Sequence, residues 1–220
     1  MGYYKDLACL SNPKAFPSFA ELPKGSSLTP AYLELGESDT PRFFFCEYVK
    51  ILDPVHYRSE IEVKDKTGET LKLALCFGEL QDYLLPFDFE EECETLVILN
   101  PKRTTLRDGK TEGIEITDPT HIKVLHALPG DWDSMRTRII EANSEEMNKI
   151  CYNCGKKSYK VKHCMWCRFF SYCTQRCLKE DHADECDVLR DWDIHHMFNG
   201  EWDNINFFES QMLAQTGPRN

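Results

Sequence analysis

Cysteine is the residue type with the clearest chemical meaning in this chain, because seven of its eleven cysteines fall between residues 151 and 186. With one histidine they form the pattern C-x2-C-x9-C-x2-C-x5-C-x3-C-x4-H-x3-C. The eight residues are Cys151, Cys154, Cys164, Cys167, Cys173, Cys177, His182 and Cys186. Thiolate and imidazole groups in fours are donors that Zn²⁺ prefers, and four protein donors leave no open position for a catalytic water. The sequence therefore predicts two structural zinc sites, with two Zn²⁺ ions per chain.

A disulfide framework is the competing explanation for such a cluster, and the sequence argues against it. The cluster holds an odd number of cysteines, and disulfide frameworks belong to secreted proteins. The first ten residues, MGYYKDLACL, have neither the basic region nor the apolar region of a secretory signal. The chain contains no run of about 18 apolar residues, which a predicted membrane span would require. We therefore expect an intracellular protein of the nucleus or cytoplasm, with no membrane association.

The spacing of the ligands leaves their pairing open. Two C-x2-C pairs can each form a tight metal-binding knuckle. The pairs 173/177 and 182/186 are four residues apart, which places both side chains of a pair on the same side of a helical turn. Four pairs supply two tetrahedral sites, and sequential and interleaved pairings both satisfy the count.

The cluster resembles the MYND-type zinc finger over 36 of the 220 residues. The similar features are the opening CYNCGKK at 151–157, the pair Tyr172-Cys173, and the closing His182-x3-Cys186. The resemblance implies a cross-brace, in which the ligand pairs alternate between two zinc ions. The first zinc would be held by Cys151, Cys154, Cys173 and Cys177, and the second by Cys164, Cys167, His182 and Cys186.

Two departures from the MYND pattern bear on partner binding. MYND fingers usually have a Gln directly after the sixth cysteine and a Trp before the histidine, where this chain has Leu178 and the short segment 179–181. The shortened interval also resembles the HIT-type finger, which has the same eight-ligand cross-brace. That Gln and Trp help to line the groove in which MYND fingers take proline-rich peptides. We therefore expect weak binding of such peptides, and partner contacts through Tyr152, Trp166 and Phe169 around the knuckles.

The cysteines, histidines and lysines outside the eight ligands are expected to have structural or surface roles. Cys46 and Cys76 lie in strand-like sequence and are expected in a core. His163, His195 and His196 are expected to face solvent. Four lysines form a basic loop between the first two knuckles, and they either offset the charge of zinc-bound thiolates or dock an acidic partner or a phosphate backbone. These lysines are Lys156, Lys157, Lys160 and Lys162.

Period-two alternation of apolar residues predicts strands across residues 42–128. Three strands begin at Arg42, at Arg58 and at Thr70, with a hairpin turn at 66–68. A short helix is expected within 78–94, and strands follow in 94–100, 111–117 and 121–128, with a turn at Asp108-Gly109. This order resembles the OB-fold, a small closed Greek-key barrel with a helix between its third and fourth strands.

The predicted fold class is therefore α+β, with a small antiparallel OB-like β-barrel, a helical connector and a two-zinc finger. Residues 1–40 contain four prolines and are expected to form an extended lead-in, with a short helix near 31–35. The barrel domain spans 41–128, the helical connector 129–150 and the finger 151–186. Residues 187–220 are expected to form a C-terminal helical tail, in which Val188, Leu189 and Trp192 recur at helical spacing.

Charge and motifs narrow the functional classes. The net charge of −11 repels nucleic acid over most of the surface. The chain carries no nucleophile elbow, H-E-x-x-H, P-loop, dinucleotide fingerprint or SET-type pattern. We therefore predict a non-enzymatic adaptor that binds protein partners, and the MYND resemblance implies a transcription-linked or ubiquitin-linked complex. The alternative is single-stranded nucleic-acid binding by the barrel, with bases stacked on Phe43, Phe45 or Tyr48.

Overall fold

The computed structural model describes residues 9–25, 42–55, 58–77, 95–125, 127, 129–144, 149–199, 201 and 204–207. The helices predicted near 31–35 and within 78–94 lie outside these residues. The chain divides into two compact units. Of the described residues, those within 10–130 and 206–207 form the sheet unit, and those within 131–205 form the finger unit together with Cys9.

The described part of the sheet unit contains seven strands. Six of them overlap the predicted alternating segments, and the short strand at 103–105 was not predicted. The seven strands are β1 (Phe43–Val55), β2 (Arg58–Asp65), β3 (Thr70–Leu75), β4 (Thr95–Leu99), β5 (Arg103–Thr105), β6 (Glu112–Ile116) and β7 (Ile122–Leu125). The spatial order is β5-β6-β3-β2-β1-β4-β7. Neighbours are antiparallel except β3 and β6, which run parallel with Lys72 opposite Gly113. The result is a large, mostly antiparallel sheet.

The core of the sheet unit consists of the apolar side of the alternation. Ile61 and Val63 of β2 stand opposite Leu73 and Leu71 of β3, and all four side chains are buried. Cys46 is also completely buried, as predicted, whereas Cys76 is half-buried. Burial of these aliphatic side chains, at about 25 cal/mol per Å² of apolar surface, is the main stabilising contribution to the sheet.

The predicted closed barrel is wrong for the part of the chain that the structure describes. Closure of an OB-like barrel would join the strand in 94–100 to the strand in 111–117, which are β4 and β6. A strand has only two hydrogen-bonding edges, and those of β4 are taken by β1 and β7. The edges of β6 are taken by β3 and β5. The sheet therefore stays open between β5 and β7.

The segment 10–25 is part of the sheet unit and is held there by the β2–β3 hairpin. The Asp65 carboxylate accepts a hydrogen bond from the Phe19 N–H at 2.9 Å. The Lys66 ammonium donates to the carbonyl oxygens of Leu10, at 2.6 Å, and Phe16. The turn itself needs Gly68, whose φ of 87° lies in the left-handed region that favours glycine. The described part of the predicted lead-in is therefore an ordered part of the fold.

The finger unit is mainly helical around one small hairpin. Its elements are α1 (Pro129–Ala142), β8 (Lys162–His163), β9 (Ser171–Tyr172), α2 (Gln175–Asp181), α3 (Ala183–Leu189) and α4 (Trp192–Asn199). Trp132 of α1 stacks on Phe198 of α4 with ring centroids 4.4 Å apart. This unit therefore has an aromatic core beyond the cysteine cluster. No helix among the described residues has the length and apolar character needed to cross a membrane.

Candidate metal centre

The eight predicted ligands lie in two groups of four, and the ligand atoms of each group are within 4.8 Å of one another. One group is Cys151, Cys154, Cys173 and Cys177, and the other is Cys164, Cys167, His182 and Cys186. The groups interleave along the chain, so a sequential pairing is excluded. Each group could hold one metal ion.

The two C-x2-C knuckles have the same backbone geometry. In the first, the Gly155 N–H donates to the Cys151 carbonyl at 2.9 Å, and Gly155 has a φ of 67°. In the second, the Arg168 N–H donates to the Cys164 carbonyl at 3.1 Å, and Arg168 has a φ of 62°. A left-handed residue directly after the second cysteine therefore closes each knuckle. In Arg168 this conformation costs about 1 kcal/mol, and the surrounding group must stabilise it.

The remaining ligands lie at the ends of β9, α2 and α3. Cys173 follows β9, and Thr174 then caps α2 by accepting a hydrogen bond from the Cys177 N–H at 3.2 Å. His182 lies between α2 and α3, and Cys186 is one turn into α3. Caps and short helices therefore fix the backbone at the ligands that spacing alone could not place.

The distances within the groups fit metal coordination and exclude disulfides. The sulfur atoms of Cys154 and Cys173 are 3.7 Å apart, and those of Cys173 and Cys177 are 3.8 Å apart. In the other group Cys164 and Cys186 are 3.5 Å apart. A disulfide requires about 2.05 Å. A tetrahedral zinc ion with bonds of about 2.3 Å separates two sulfur ligands by about 3.8 Å. The donor sets are therefore consistent with zinc.

Backbone N–H groups favour the thiolate form at the first cysteine of each knuckle. Burial opposes ionisation of Cys151, but hydrogen bonds from the backbone of Cys154 and Cys173 lower its pKa to about 6. Burial likewise opposes ionisation of Cys164, and backbone hydrogen bonds from Cys167 and Trp166 lower its pKa below the ordinary thiol value. The thiolate is the form that binds metal.

His182 is held in the neutral form that a metal ligand requires. Burial lowers the pKa of its imidazole to about 4. Its Nε2 lies 3.0 Å from the Cys167 sulfur, inside the ligand group. Its Nδ1 is buried and has no hydrogen-bond partner among the described residues. The ring packs edge-on against Phe170, with centroids 4.9 Å apart. The histidine therefore has a fixed ring and a donor directed at the group.

An arginine on α1 that no sequence pattern singled out pairs with acids beside the ligands His182 and Cys186. Arg138 pairs with Asp181 at 3.2 Å and with Glu185. These two acids directly precede the ligands His182 and Cys186. The guanidinium also lies over the Tyr152 ring, 5.2 Å from its centroid. An acidic residue before each of two ligands four positions apart was the available sequence signal.

The three predicted partner-contact residues have different environments. Trp166 is 68% exposed, as a surface anchor must be. Tyr152 is half-buried beneath Arg138. Phe169 is only 3% exposed, because it stacks on His195 at 4.8 Å and packs edge-on against Phe198. The prediction that Phe169 is a surface contact is therefore corrected to a core residue.

Of the three histidines predicted to face solvent, one is exposed and two are not. His163 is exposed, as predicted, and its Nδ1 lies 3.1 Å from the Ser171 hydroxyl. His196 was expected to face solvent but is buried, with its Nδ1 2.5 Å from a Glu201 carboxylate oxygen. His195 is half-buried against Phe169. The prediction failed because α4 packs both faces of its first turns, whereas polarity suggested a solvated helix.

Aromatic residues proposed as base-stacking platforms do not form a surface on the sheet unit. Phe43 and Phe45 are buried against Phe16, with ring centroids 6.0 and 5.4 Å from it. Tyr48 is half-buried and packs against the core. The arrangement required by the nucleic-acid alternative is therefore absent at Phe43 and Phe45.

No protein-family model matches the chain, and no curated protein matches it in sequence.

Proposed function

We propose that this chain is a MYND-type, two-zinc cross-brace protein that acts as a protein–protein interaction adaptor in the nucleus or cytoplasm. The observation that carries the proposal is the pair of closed, interleaved groups of four donors. Zinc would supply two tetrahedral cross-links that join the knuckles to α2 and α3. The interval around Leu178 leaves the HIT-type finger as the near relative.

The completeness of the two donor sets supports a structural role and not a catalytic one. Catalytic zinc sites keep one position open for water or substrate, whereas four protein donors fill the tetrahedral shell. The second group is buried at all four ligands, which also restricts access of a substrate. We infer that the finger contributes a rigid surface and performs no reaction.

The second knuckle supplies the best candidate contact surface. Trp166 and Met165 are 68% and 84% exposed, side by side between the ligands Cys164 and Cys167. Met165 also lines a shallow pocket with His163 and Arg168. Tryptophan is enriched among residues that dominate interface energies, and methionine adapts to varied partners. A partner in a transcription-linked or ubiquitin-linked complex would be anchored here.

The experiment is a pull-down with the zinc-loaded chain and two matched variants. Trp166→Ala should abolish capture of the main partner, because it removes the central anchor. Trp192→Ala is the control, since Trp192 is 66% exposed on α4 and belongs to no ligand group. Metal analysis should return two zinc ions for both variants. Retention of the partner by Trp166→Ala would contradict the proposed anchor.

The alternative, single-stranded nucleic-acid binding by the sheet, ranks below the adaptor. Two of its three predicted stacking platforms, Phe43 and Phe45, are in the core. The net charge of −11 opposes it as well.

A further inference from the structure

The first knuckle and the loop that follows it bring several lysines together on one folded segment of the finger unit. The Ser158 N–H donates to the Lys149 carbonyl at 2.7 Å, and the Cys151 N–H donates to the Lys156 carbonyl at 3.0 Å. Ile150 and Lys157 form a bridge between these bonds. Residues 149–162, here called the lysine loop, therefore bring Lys149, Lys156 and Lys157 close together, with Lys160 and Lys162 following.

The positive charge of this region exceeds what the metal sites require. Residues 147–179 contain eight Lys and Arg and no Asp or Glu. Six of the seven predicted thiolates lie in this stretch, and with two Zn²⁺ ions they carry about two net negative charges. A surplus of positive charge therefore remains, although the rest of the chain has 18 basic residues against 37 acidic ones. Over the whole finger, 151–186, the basic residues are balanced by the zinc sites together with Glu180, Asp181, Asp184 and Glu185. Arginines already pair with three of these acids, at 180, 181 and 185, so the charge of the lysine loop is a local surplus.

The lysines of the loop also lack the partners that lysines on the sheet have. Lys156, Lys157, Lys160 and Lys162 are exposed and form no ion pair with any residue that the structure describes. Four lysines of the sheet unit each pair with a glutamate: Lys24, Lys50, Lys64 and Lys72. The contrast shows that surface lysines in this protein are often paired, and that those of the loop are available.

An aromatic side chain stands among these charges. Tyr159 is 91% exposed, and the Lys149 ammonium lies over its ring at 5.2 Å from the centroid. The backbone beneath it is fixed by the bonds to residues 149 and 151, and Cys151 is itself a predicted ligand. A fixed loop loses little conformational entropy on binding, which favours affinity.

We propose that the lysine loop docks a short acidic segment of a partner protein, with Tyr159 contacting an apolar side chain of that segment. This inference rests on the adaptor function and names the chemistry of its partner. A short acidic segment matches the size of one loop. A long polynucleotide would also meet the acidic remainder of the chain, which repels it. Proteins that bind single strands present several aromatic side chains for base stacking, whereas the lysine loop has one exposed aromatic side chain.

The test is fluorescence anisotropy with the zinc-loaded full chain. The probe is a fluorescein-labelled oligoglutamate of about ten residues with a central leucine, and its glutamine counterpart is the control peptide. The triple variant K156Q/K157Q/K160Q should bind the acidic probe about tenfold more weakly, because three exposed charge contacts are lost. The control K14Q/K50Q/K110Q makes the same change in net charge on the sheet unit and should stay within about twofold.

Three results would overturn the inference. These are equal binding of the acidic and glutamine peptides, equal loss in the two triple variants, and tighter binding of an oligothymidylate than of the acidic probe at the same salt. Two zinc ions per chain in both variants would exclude unfolding as the cause. Because the adaptor function is tested separately at Trp166, the lysine loop can fail while the adaptor function stands.

Discussion

At the scale of single residues, three of the eight donors favour their metal-binding form before a metal arrives. Backbone N–H groups lower the pKa of Cys151 and Cys164, and burial keeps His182 neutral. The pKa values of the other ligand thiols with resolved shifts are raised, by burial at Cys167 and Cys186 and by hydrogen bonds with neighbouring thiols at Cys173. Burial differs between the groups, since all four ligands of the second are buried and Cys154 of the first is exposed. We therefore expect the first group to exchange its metal more readily.

The interleaved pairing predicts which thiols a single substitution releases. Cys173→Ser should reduce the metal content from two zinc ions to one, because it removes a ligand of the first group. The thiols at 151, 154 and 177 should then react with an alkylating reagent, while those at 164, 167 and 186 stay protected. Mass spectrometry after alkylation measures this. Protection of Cys151 and Cys154 in the variant would contradict the pairing.

The Arg138 network predicts a difference between a half-buried ion pair and an exposed one. Arg138→Ala leaves Asp181 and Glu185 without their cation, and should destabilise the zinc-loaded finger by about 1–3 kcal/mol. Arg176→Ala is the control, because Arg176 forms an exposed pair with Glu180 and should change stability little. Urea unfolding of both variants gives the comparison. Equal losses would show that Arg138 has no special role.

At the scale of elements, the alternating strands could be predicted from the sequence, whereas their pairing could not. Apolar alternation predicts β2 and β3 directly. Gly68 and Gly109 indicate the turns that connect the strands of two hairpins. β5 has three residues and no buried side chain, so it leaves no periodic signal. The parallel pairing of β3 with β6 joins distant segments, and nothing local encodes it. β5 on β6 and β7 on β4 occupy the two edges that barrel closure would have joined.

The β2–β3 hairpin predicts a pH-dependent contribution at Asp65. Burial alone would raise the pKa of this carboxyl, but hydrogen bonds from the Thr67 hydroxyl and from the N–H groups of Phe19, Thr67 and Glu69 lower it below 3.8. A folded-state pKa below the unfolded value gives stability that is present above about pH 4 and is lost as the pH falls through the folded-state pKa.

Asp65→Asn should therefore be less stable than the unmodified chain by about 1–2 kcal/mol at pH 7. The difference should shrink as the pH falls from about 4 through the folded-state pKa, because Asp65 is then progressively protonated and loses its charge. Urea unfolding between pH 7 and pH 3 measures it, and effects of acid on the metal sites cancel in the difference. A difference that grows in acid would refute this assignment.

At the scale of the whole molecule, the metal-ligand pattern was the most predictable feature, and its supporting residues were the least. The eight ligands could be recognised from the sequence because closely spaced thiolate and imidazole groups are typical of zinc coordination. Arg138 and His196 are polar residues placed by packing between helices, which spacing does not reveal. The position of α1 within the finger unit also depends on non-local packing, so the sequence suggested only a connector.

The two units predict different responses to metal removal. The sheet unit has an apolar core without metal ligands and should stay folded, whereas the finger unit should lose its structure. Limited proteolysis after chelation should leave a fragment that ends near residue 130, with 131–205 digested. Mass spectrometry identifies the boundary. Digestion of the whole chain would show that the sheet depends on the finger.

The central claim, a two-zinc cross-brace, is tested most directly by metal analysis of the purified full chain. Inductively coupled plasma mass spectrometry should return two zinc ions per chain, because both closed groups bind zinc tightly enough to be occupied after purification. Structural zinc sites have apparent binding free energies of about 10–16 kcal/mol, which is ample for this. One zinc ion per chain, or none under reducing conditions, would contradict the cross-brace.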